Sequence, residues 1–158
     1  MTSPHGRLRD LGITLPTPPP PAASYVQTRL VDIGQGRSLL YVAGQVSRDG
    51  DQYLTGRCPD QVSVVEAAHR ARQCALSILA QMEAAIGLDN VIEMSQVLGY
   101  VLSAEGFAEH PKVLNGASEL LVEVLGAAGK HTRMALGTNA LPFSATVEIA
   151  AVAVVRTG

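Results

Sequence analysis

The feature that most constrains the fold is a segment near the C-terminus that is apolar on both faces of a strand. Residues 147–155 read VEIAAVAVV, and Glu148 is their single interruption. A segment of this kind is typical of a β-strand that is covered on both sides. Residues 131–156 therefore predict two β-strands joined at residues 141–144, the second of them buried.

Each of these two strands has a charged residue among apolar ones, Arg133 in the first and Glu148 in the second. An unpaired buried charge is costly, so each must be paired, partly hydrated or functional. Arg133 is either a strand-end arginine in a surface ion pair or a bidentate anchor for a substrate carboxylate. Glu148 is either a solvated strand-edge residue, a partner of Arg133, or a part-buried carboxylate that moves a proton near neutral pH. The apolar neighbours of Glu148 favour the functional interpretation.

The rest of the chain supplies further elements in an alternating order. A capping box at Ser63 and Glu66 predicts the start of a helix that ends at Gly87, and Pro111 suits the first turn of a second helix. The predicted strands and helices span residues 25–33, 38–46, 64–86, 92–102 and a segment from Pro111 to about Gly126, followed by the two C-terminal strands. This β-β-α-β-α-β-β order predicts a two-layer α+β sandwich, with one mixed sheet and two helices on one face.

The first 24 residues form a separate N-terminal arm, and residues 25–158 form the α+β domain. Most of the nine prolines fall in this arm, and the run from Pro18 to Pro21 predicts an extended, polyproline-like segment. In an arm that is free in solvent, the apolar side chains of Leu11, Ile13 and Leu15 would contribute no buried surface. We therefore expect them to dock on the domain.

Composition indicates an oligomer. Apolar residues make up 47% of the chain and charged residues only 16%. The second face of the sheet is rich in apolar side chains, and no predicted element is left to cover it. These observations favour homo-oligomerisation through the sheet face.

Composition also excludes several classes of function. The net charge of −2 and the scattered basic residues leave no footprint for nucleic acid. Cys58 and Cys74 form neither a disulfide framework nor a metal site. The longest apolar run is too short to span a bilayer, and no signal-peptide pattern is present. We therefore expect a soluble cytoplasmic protein with no membrane, nucleic-acid or metal partner.

Three further positions are ambiguous from the residues alone. Tyr25 is more often a structural aromatic at a core or interface. Asn115 and Gly116 are poor helix formers inside a predicted helix, which is tolerated when the asparagine binds a specific partner or the helix packs closely. His131 either caps a sheet edge as a satisfied structural histidine or titrates near a ligand.

The spacing of Arg133, Leu141-Pro142 and Val147-Glu148-Ile149 resembles the C-terminal signature of the RidA family, also called the YjgF family. Other matching pieces extend the resemblance from about Pro19 to Arg156. They are Tyr25-Val26-Gln27, Val42-Ala43-Gly44-Gln45, Ala71-Arg72-Gln73, Phe107 and Val113-Leu114-Asn115. The residues around Asn115-Gly116 and Gly129–Arg133 are similar to a longer-chain branch of the family.

The resemblance implies a fold and an activity. The fold is that of chorismate mutase, a six-stranded sheet backed by two helices, assembled as a homotrimer with ligand clefts between subunits. The activity is cofactor-free hydrolysis of small reactive 2-imino and enamino acids to 2-keto acids and ammonia, so the expected ligand is a small carboxylate.

The resemblance also implies site residues. By position, Arg133 matches the carboxylate-binding arginine and Glu148 the glutamate linked to water activation. Tyr25, Gly44 and Asn115 match other substrate-binding positions, and Ala135 stands where many members carry a cysteine.

One alternative function comes from a different class of protein. A trimeric binding or regulatory module would use Arg133 to hold a small carboxylate without turning it over. A ribonuclease, by contrast, lacks support, because the sequence offers neither a basic stripe nor an aromatic platform for RNA.

Overall fold

Five strands form one mixed sheet. The computed structural model describes residues 2–158. Its helices and strands are α1 (Pro4–Asp10), β1 (Thr28–Gly34), β2 (Arg37–Val46), β3 (Arg48–Asp49), β4 (Gln52–Tyr53), α2 (Val64–Ile86), β5 (Val91–Leu102), α3 (His110–Leu125), β6 (Thr132–Thr138) and β7 (Val147–Arg156). The order of the strands in the main sheet is β1-β2-β7-β5-β6. Strands β5 and β6 are parallel, and the other neighbouring strands are antiparallel. The predicted mixed α+β fold is confirmed.

The ends of the long helices follow local sequence signals. Ser63 Oγ accepts a hydrogen bond from the Glu66 N–H at 3.1 Å, and α2 ends at Gly87, where φ is +75°. The Glu66 carboxylate lies 3.5 Å from Arg70 Nε, so the side chain extends along the helix. α3 begins at His110 with proline in its first turn and ends at Gly126, where φ is +65°. Positive φ suits glycine, which has no Cβ.

The core lies between the sheet and the long helices. Alternate residues of β7, from Val147 to Val155, are buried at 0–2% exposure. Helix α2 packs against β2 and β7, and α3 packs against β5 and β6. The largest fully buried side chains come from both layers and include Leu40, Ile78, Leu79, Met82, Leu114, Leu120, Leu121 and Ile149. Burial of this apolar surface is the main stabilising contribution to the fold.

The opposite face of the sheet stays open in the single chain. Strand pairing places the side chains of Tyr41, Val152, Ala150, Leu98 and Met134 on this face. We call it the outer face. Its exposed large apolar residues are Val31, Ile33, Tyr41, Tyr100, Met134 and Leu136, each with 38–50% exposure. As predicted, no element of the described chain covers it.

The six-stranded sheet implied by the resemblance is wrong for this chain. The main sheet has five strands, while β3 and β4 form a separate two-stranded sheet. Arg48 Nε donates to the Gly50 carbonyl at 2.7 Å, and its guanidinium lies over the Tyr53 ring. These contacts close the β3–β4 hairpin on itself, so it does not extend the main sheet.

The N-terminal arm lies on the domain. Leu8 of α1 is 6% exposed, and Ile13 and Leu15 pack against the core. The expectation for Leu11 is wrong, because this residue caps the end of α1 and stays 43% exposed. Farther along, Gln81 Nε2 donates to the Pro19 carbonyl at 2.7 Å. The arm therefore covers Gln81, a polar residue of α2 that is 5% exposed.

Candidate functional site

Glu148 projects from β7 onto the outer face of the sheet. Its neighbours Val147 and Ile149 are fully buried in the core, so the alternation of the strand turns Glu148 the other way. Its partners in the sheet are Val46 on β2 and Tyr100 on β5. The side chain lines a cavity of about 430 Å³ together with Tyr25 and Gly44. We call these three residues the Glu148 half-site.

The Glu148 carboxylate is only partly hydrated. Burial raises its pKa above the usual value for glutamate, because a low-polarity environment disfavours the charged form. Throughout residues 2–158, its side chain forms neither a hydrogen bond nor an ion pair that would offset this cost. A carboxylate with a raised pKa accepts a proton more readily than an ordinary glutamate.

Gly44 makes room for the Glu148 carboxylate. The register of β2 against β7 shifts between Val42 and Gln45, and Gly44 lies in this irregularity. A Cβ atom built on Gly44 would overlap Oε1 of Glu148. The space that Gly44 leaves is therefore occupied by the Glu148 carboxylate, which lies over the backbone of β2.

The cavity over Glu148 has mostly apolar walls. Pro19, Pro20 and Tyr25 contribute from the arm and the start of the domain, and Tyr53 and Phe143 contribute a stacked pair of rings. Tyr25 is 43% exposed, and its hydroxyl accepts a hydrogen bond from the Ala22 N–H at 3.3 Å. The tyrosine is thus a wall of the cavity rather than a core residue.

Arg133 projects from β6 toward α3. Its Nη1 donates to Asn115 Oδ1 and to Ser118 Oγ, each at 3.0 Å, and its Nη2 donates to the Pro111 carbonyl at 3.3 Å. Three neutral acceptors orient the guanidinium without neutralising its charge. We call Arg133, Asn115 and Ser118 the Arg133 half-site. A fixed, unneutralised guanidinium is suited to bind a carboxylate.

His131 fixes the direction of the hydrogen bond from Ser118. His131 Nδ1 lies 2.6 Å from the Gly129 carbonyl, which can only accept, so Nδ1 carries the proton. In the neutral ring, Nε2 is then an acceptor, and it lies 2.9 Å from Ser118 Oγ. The Ser118 hydroxyl therefore donates to His131 and accepts from Arg133. His131 is a satisfied structural histidine, and it helps to position the arginine.

The two half-sites lie on opposite faces of the sheet. Arg133 and Ala135 share the face that packs toward the helices, where Ala135 contacts the core. Glu148 lies on the outer face, and β5 separates its strand from β6. No ion pair joins Arg133 to Glu148 in the described part of the chain. The interpretation that they form a structural pair within one chain is therefore wrong.

Sequence reasoning missed two contributors to these half-sites. Ser118 lies three residues after Asn115, so both project from the same side of α3 toward Arg133. That spacing could have identified Ser118. Phe143 gives no such signal, because its place in the cavity depends on a left-handed backbone, with φ +57°, that its sequence does not predict.

Metal ligation finds no support in the described residues. No group of three or more His, Cys, Asp or Glu side chains in residues 2–158 could hold a metal ion. Both cysteines are free and buried, and burial raises the pKa of each thiol. A raised pKa lowers the thiolate fraction, so neither cysteine is suited to act as a nucleophile. None of the helices in this range is long and apolar enough to cross a membrane.

Comparison with known proteins gives consistent matches over most of the chain. A family model described as "YjgF/chorismate mutase-like, putative endoribonuclease" matches residues 7–154. Protein TCP17 of Trypanosoma cruzi is 39% identical over 145 residues, covering 90% of this chain and 88% of that protein.

Two solved structures are similar along nearly the full chain. The first is Atu1372 of Agrobacterium tumefaciens, described as having unknown function. It is 39% identical with a TM-score of 0.82, covering 96% of this chain and 91% of that one. The second is named a putative endoribonuclease from Shewanella oneidensis. It is 27% identical with a TM-score of 0.88, covering 96% and 98% of the two chains.

Proposed function

Because the chain belongs to the YjgF/chorismate mutase-like family, we propose that it is a hydrolytic deaminase of small reactive 2-imino and enamino acids. Its products are 2-keto acids and ammonia. The observation that carries this proposal is the half-buried Glu148 carboxylate, which has a raised pKa and faces a cavity of about 430 Å³. Perturbed carboxylates in cavities concentrate at catalytic sites.

The proposed active assembly is a homotrimer with its clefts between subunits. Two observations support an assembly of several chains. The outer face carries exposed apolar residues that include Tyr41, Met134 and Leu136, and such a face is typical of an interface. In addition, Arg133 and Glu148 point away from each other within one chain, so a complete site requires Arg133 of one subunit and Glu148 of another.

The proposed reaction converts a 2-imino acid and water into a 2-keto acid and ammonia. Arg133 binds the substrate carboxylate and thereby places the C=N carbon beside Glu148. Glu148 accepts a proton from water as the water oxygen bonds to that carbon, and the proton then passes to the nitrogen. The hydroxyl proton of the resulting carbinolamine then passes to the nitrogen as the carbonyl forms and the C–N bond breaks, which releases ammonia. Such imines hydrolyse slowly in water alone, so positioning and proton transfer suffice without a cofactor.

Two other functions are weaker. A small-carboxylate-binding or regulatory module would need the Arg133 half-site but would give the raised pKa of Glu148 no role. The family and one similar structure carry the word endoribonuclease in their descriptions. For this chain, a net charge of −2 and 12 lysine and arginine residues against 14 acidic ones disfavour binding to an RNA backbone.

The direct test uses imines made in the reaction mixture by an amino-acid oxidase acting on a panel of amino acids. Semicarbazide traps the imine that escapes hydrolysis, so a deaminase lowers trapping and speeds release of keto acid. We expect wild-type protein to accelerate hydrolysis of at least one imine. Arg133→Ala should lose both keto-acid binding and turnover, whereas Glu148→Gln should bind keto acids and lose most turnover.

The panel also separates the deaminase from the binding module. Wild-type protein that binds keto acids but accelerates no imine across the panel would overturn the deaminase proposal in favour of the binding module. A Glu148→Gln variant with wild-type turnover would remove Glu148 from the mechanism.

A further inference from the structure

The cavity over Glu148 is larger than a three-carbon substrate requires. Its volume of about 430 Å³ lies within the roughly 300–1,000 Å³ that is typical of pockets for drug-sized ligands. An imine of alanine or serine has one small side-chain group beyond the reacting carbon. Most of the cavity would then stay filled with water, and the reacting carbon would not be held by its walls.

Three separate segments of the chain bring apolar groups to these walls. The arm supplies Pro19 and Pro20, and Gln81 fixes it by donating to the Pro19 carbonyl at 2.7 Å. Tyr53 of β4 and Phe143 of the β6–β7 connection supply two parallel rings with centroids 4.2 Å apart and planes within 2°. Proline and aromatic surfaces of this kind favour apolar and aromatic groups over charged ones.

Phe143 lines the cavity with its backbone in an unfavourable conformation. Phe143 and Ser144 are both left-handed, with φ of +57° and +55°. A residue other than glycine in this region carries a strain of order 1–3 kcal/mol, and such residues cluster at ligand sites. Phe143 is also 50% exposed, so burial in the core does not account for its position. The ring stacks on Tyr53 and faces the cavity, where it is open to a ligand.

Arg48, the cationic residue that lines the cavity, already has partners within the protein. Arg48 donates to the Gly50 carbonyl at 2.7 Å, lies 3.4 Å from Asp51 and covers the Tyr53 ring. It is therefore not free to hold a second acidic group on the substrate. Glu148 is the only other charged residue that lines the cavity among residues 2–158.

We propose that the cavity over Glu148 binds the side chain of a 2-imino acid with a bulky apolar or aromatic side chain, and that Phe143 is a specificity-determining residue. This inference rests on the proposed function and narrows its substrate class. The substrate carboxylate binds to the Arg133 half-site of a neighbouring subunit, and its side chain packs between the arm prolines and the Tyr53–Phe143 rings.

The test compares imines derived from phenylalanine and leucine with those derived from alanine and serine. We expect kcat/KM to favour the bulky imines by about tenfold or more, because each well-packed apolar group in a pocket contributes a factor of about 10–200. In parallel, calorimetric titration should show tighter binding of phenylpyruvate than of pyruvate. That measurement does not depend on turnover.

Phe143→Gly is the informative variant. Glycine removes the ring and also relaxes the left-handed backbone, so the protein should fold at least as well as wild type. We expect the preference for bulky imines over the alanine imine, and for phenylpyruvate over pyruvate, to fall by about tenfold. Val65→Ala is the control, because Val65 is 68% exposed on α2 and lies outside the cavity. It should leave both preferences unchanged.

The outcomes separate this inference from the proposed function. Preferential binding of phenylpyruvate without turnover of any imine would overturn the deaminase but support the cavity assignment. Turnover without a preference for bulky imines, or a preference that Phe143→Gly leaves intact, would overturn the inference while the deaminase stands. Neither binding nor turnover would overturn both.

Discussion

At the scale of single residues, Glu148 shows how an apolar strand tolerates a carboxylate. The side chain is turned away from the core to the outer face, where it is half-buried and its pKa is raised. Gly44 leaves the space that its Oε1 occupies. The position of the Glu148 carboxylate thus depends on Gly44, which is distant in sequence. Substitutions of the two residues can be tested separately for their effects on stability and turnover.

Gly44→Ala should reduce turnover without unfolding the protein. The added Cβ overlaps only the flexible end of Glu148, and Gly44 does not need a positive φ, so we expect the free energy of unfolding to change by less than about 0.5 kcal/mol. The displaced carboxylate should reduce imine hydrolysis by about tenfold to a hundredfold, since an error near 1 Å in a catalytic group has that effect. Thermal melting and the hydrolysis assay measure the two quantities.

Gly99→Ala is the matched control for this variant. Gly99 also lies in the sheet, but its added Cβ would overlap the side chain of Leu114, which is fully buried. Overpacking of this kind costs about 1–3 kcal/mol, so Gly99→Ala should melt at a lower temperature. Equal destabilisation by both substitutions, or full turnover in Gly44→Ala, would contradict the role given to Gly44.

Glu148→Gln should make the protein more stable at neutral pH. Burial raises the pKa of Glu148 in the folded state above its unfolded value, so the ionised form is the less stable one in the fold. Stability of the wild type is then highest below the unfolded pKa and falls as pH rises through the folded pKa. The melting temperature of the variant should exceed that of wild type at pH 7 and converge with it toward pH ~4.

The control for this measurement is Glu105→Gln. Glu105 is exposed in the loop before α3, so its replacement should shift melting little at any pH. If Glu148→Gln instead melts below wild type at pH 7, a cation from another subunit pairs with the carboxylate in the assembly. Arg133 of the neighbouring subunit would be the first candidate for that cation.

At the scale of secondary-structure elements, the helices were more predictable than the sheet. Helix α2 begins after Ser63 and ends at Gly87, as the sequence indicated, because helix capping is a local interaction. β1 begins at Thr28 rather than at Tyr25, since its start depends on pairing with β2. The number of strands in the main sheet likewise depends on tertiary structure, because β3 pairs with β4 instead of extending the main sheet.

The face on which each candidate residue lies in its own strand was predictable, but the arrangement of these residues was not. Period-two alternation gives the faces of β6 and β7 separately. This alternation does not predict that β5 lies between the two strands, or that Arg133 and Glu148 lie on opposite faces of the sheet. The unusual Asn115-Gly116 pair in α3 is explained by both of the expected reasons. Asn115 accepts from Arg133, and Gly116 packs against α2.

Gly116→Ala should destabilise the protein, although alanine is the better helix former. Intrinsic propensity alone would stabilise α3 by about 1 kcal/mol. However, a Cβ on Gly116 would overlap the backbone carbonyl of Ala68 in α2, which cannot rotate away as a side chain can. We expect a net loss of about 1–3 kcal/mol in the free energy of unfolding, measured by denaturant titration.

If Gly116→Ala instead raised the free energy of unfolding, α2 and α3 would be able to separate without a loss of stability. A suitable comparison is Glu119→Ala on an exposed position of the same helix, which should change the free energy of unfolding by less than about 0.5 kcal/mol. Because Gly116 neighbours Asn115, the same variant should also weaken keto-acid binding if separation of the helices moves the Arg133 half-site.

At the scale of the whole molecule, one chain carries Arg133 and Glu148 on opposite faces of its sheet. Arg133 is fixed by α3 on the helix side of the sheet, and Glu148 faces the outer side with Tyr41, Tyr100, Met134 and Leu136 exposed around it or along the same face. Covering that face with other copies of the chain would remove apolar surface from water. In the proposed trimer, this packing places the Arg133 half-site of one chain beside the Glu148 half-site of another.

Mixed trimers made from two inactive variants should regain activity. Arg133→Ala keeps the Glu148 half-site and Glu148→Gln keeps the Arg133 half-site, so a cleft built from one of each in the right order has both groups intact. In a cyclic trimer assembled at random from equal amounts, about a quarter of the clefts meet this condition. Co-expression of the two variants should therefore restore about a quarter of wild-type hydrolysis. Arg133→Ala co-expressed with a chain carrying both substitutions should restore none, because no subunit then supplies the arginine. A site contained within one chain would leave both mixtures inactive, and light scattering that gives a monomer at micromolar concentration would exclude the shared site altogether.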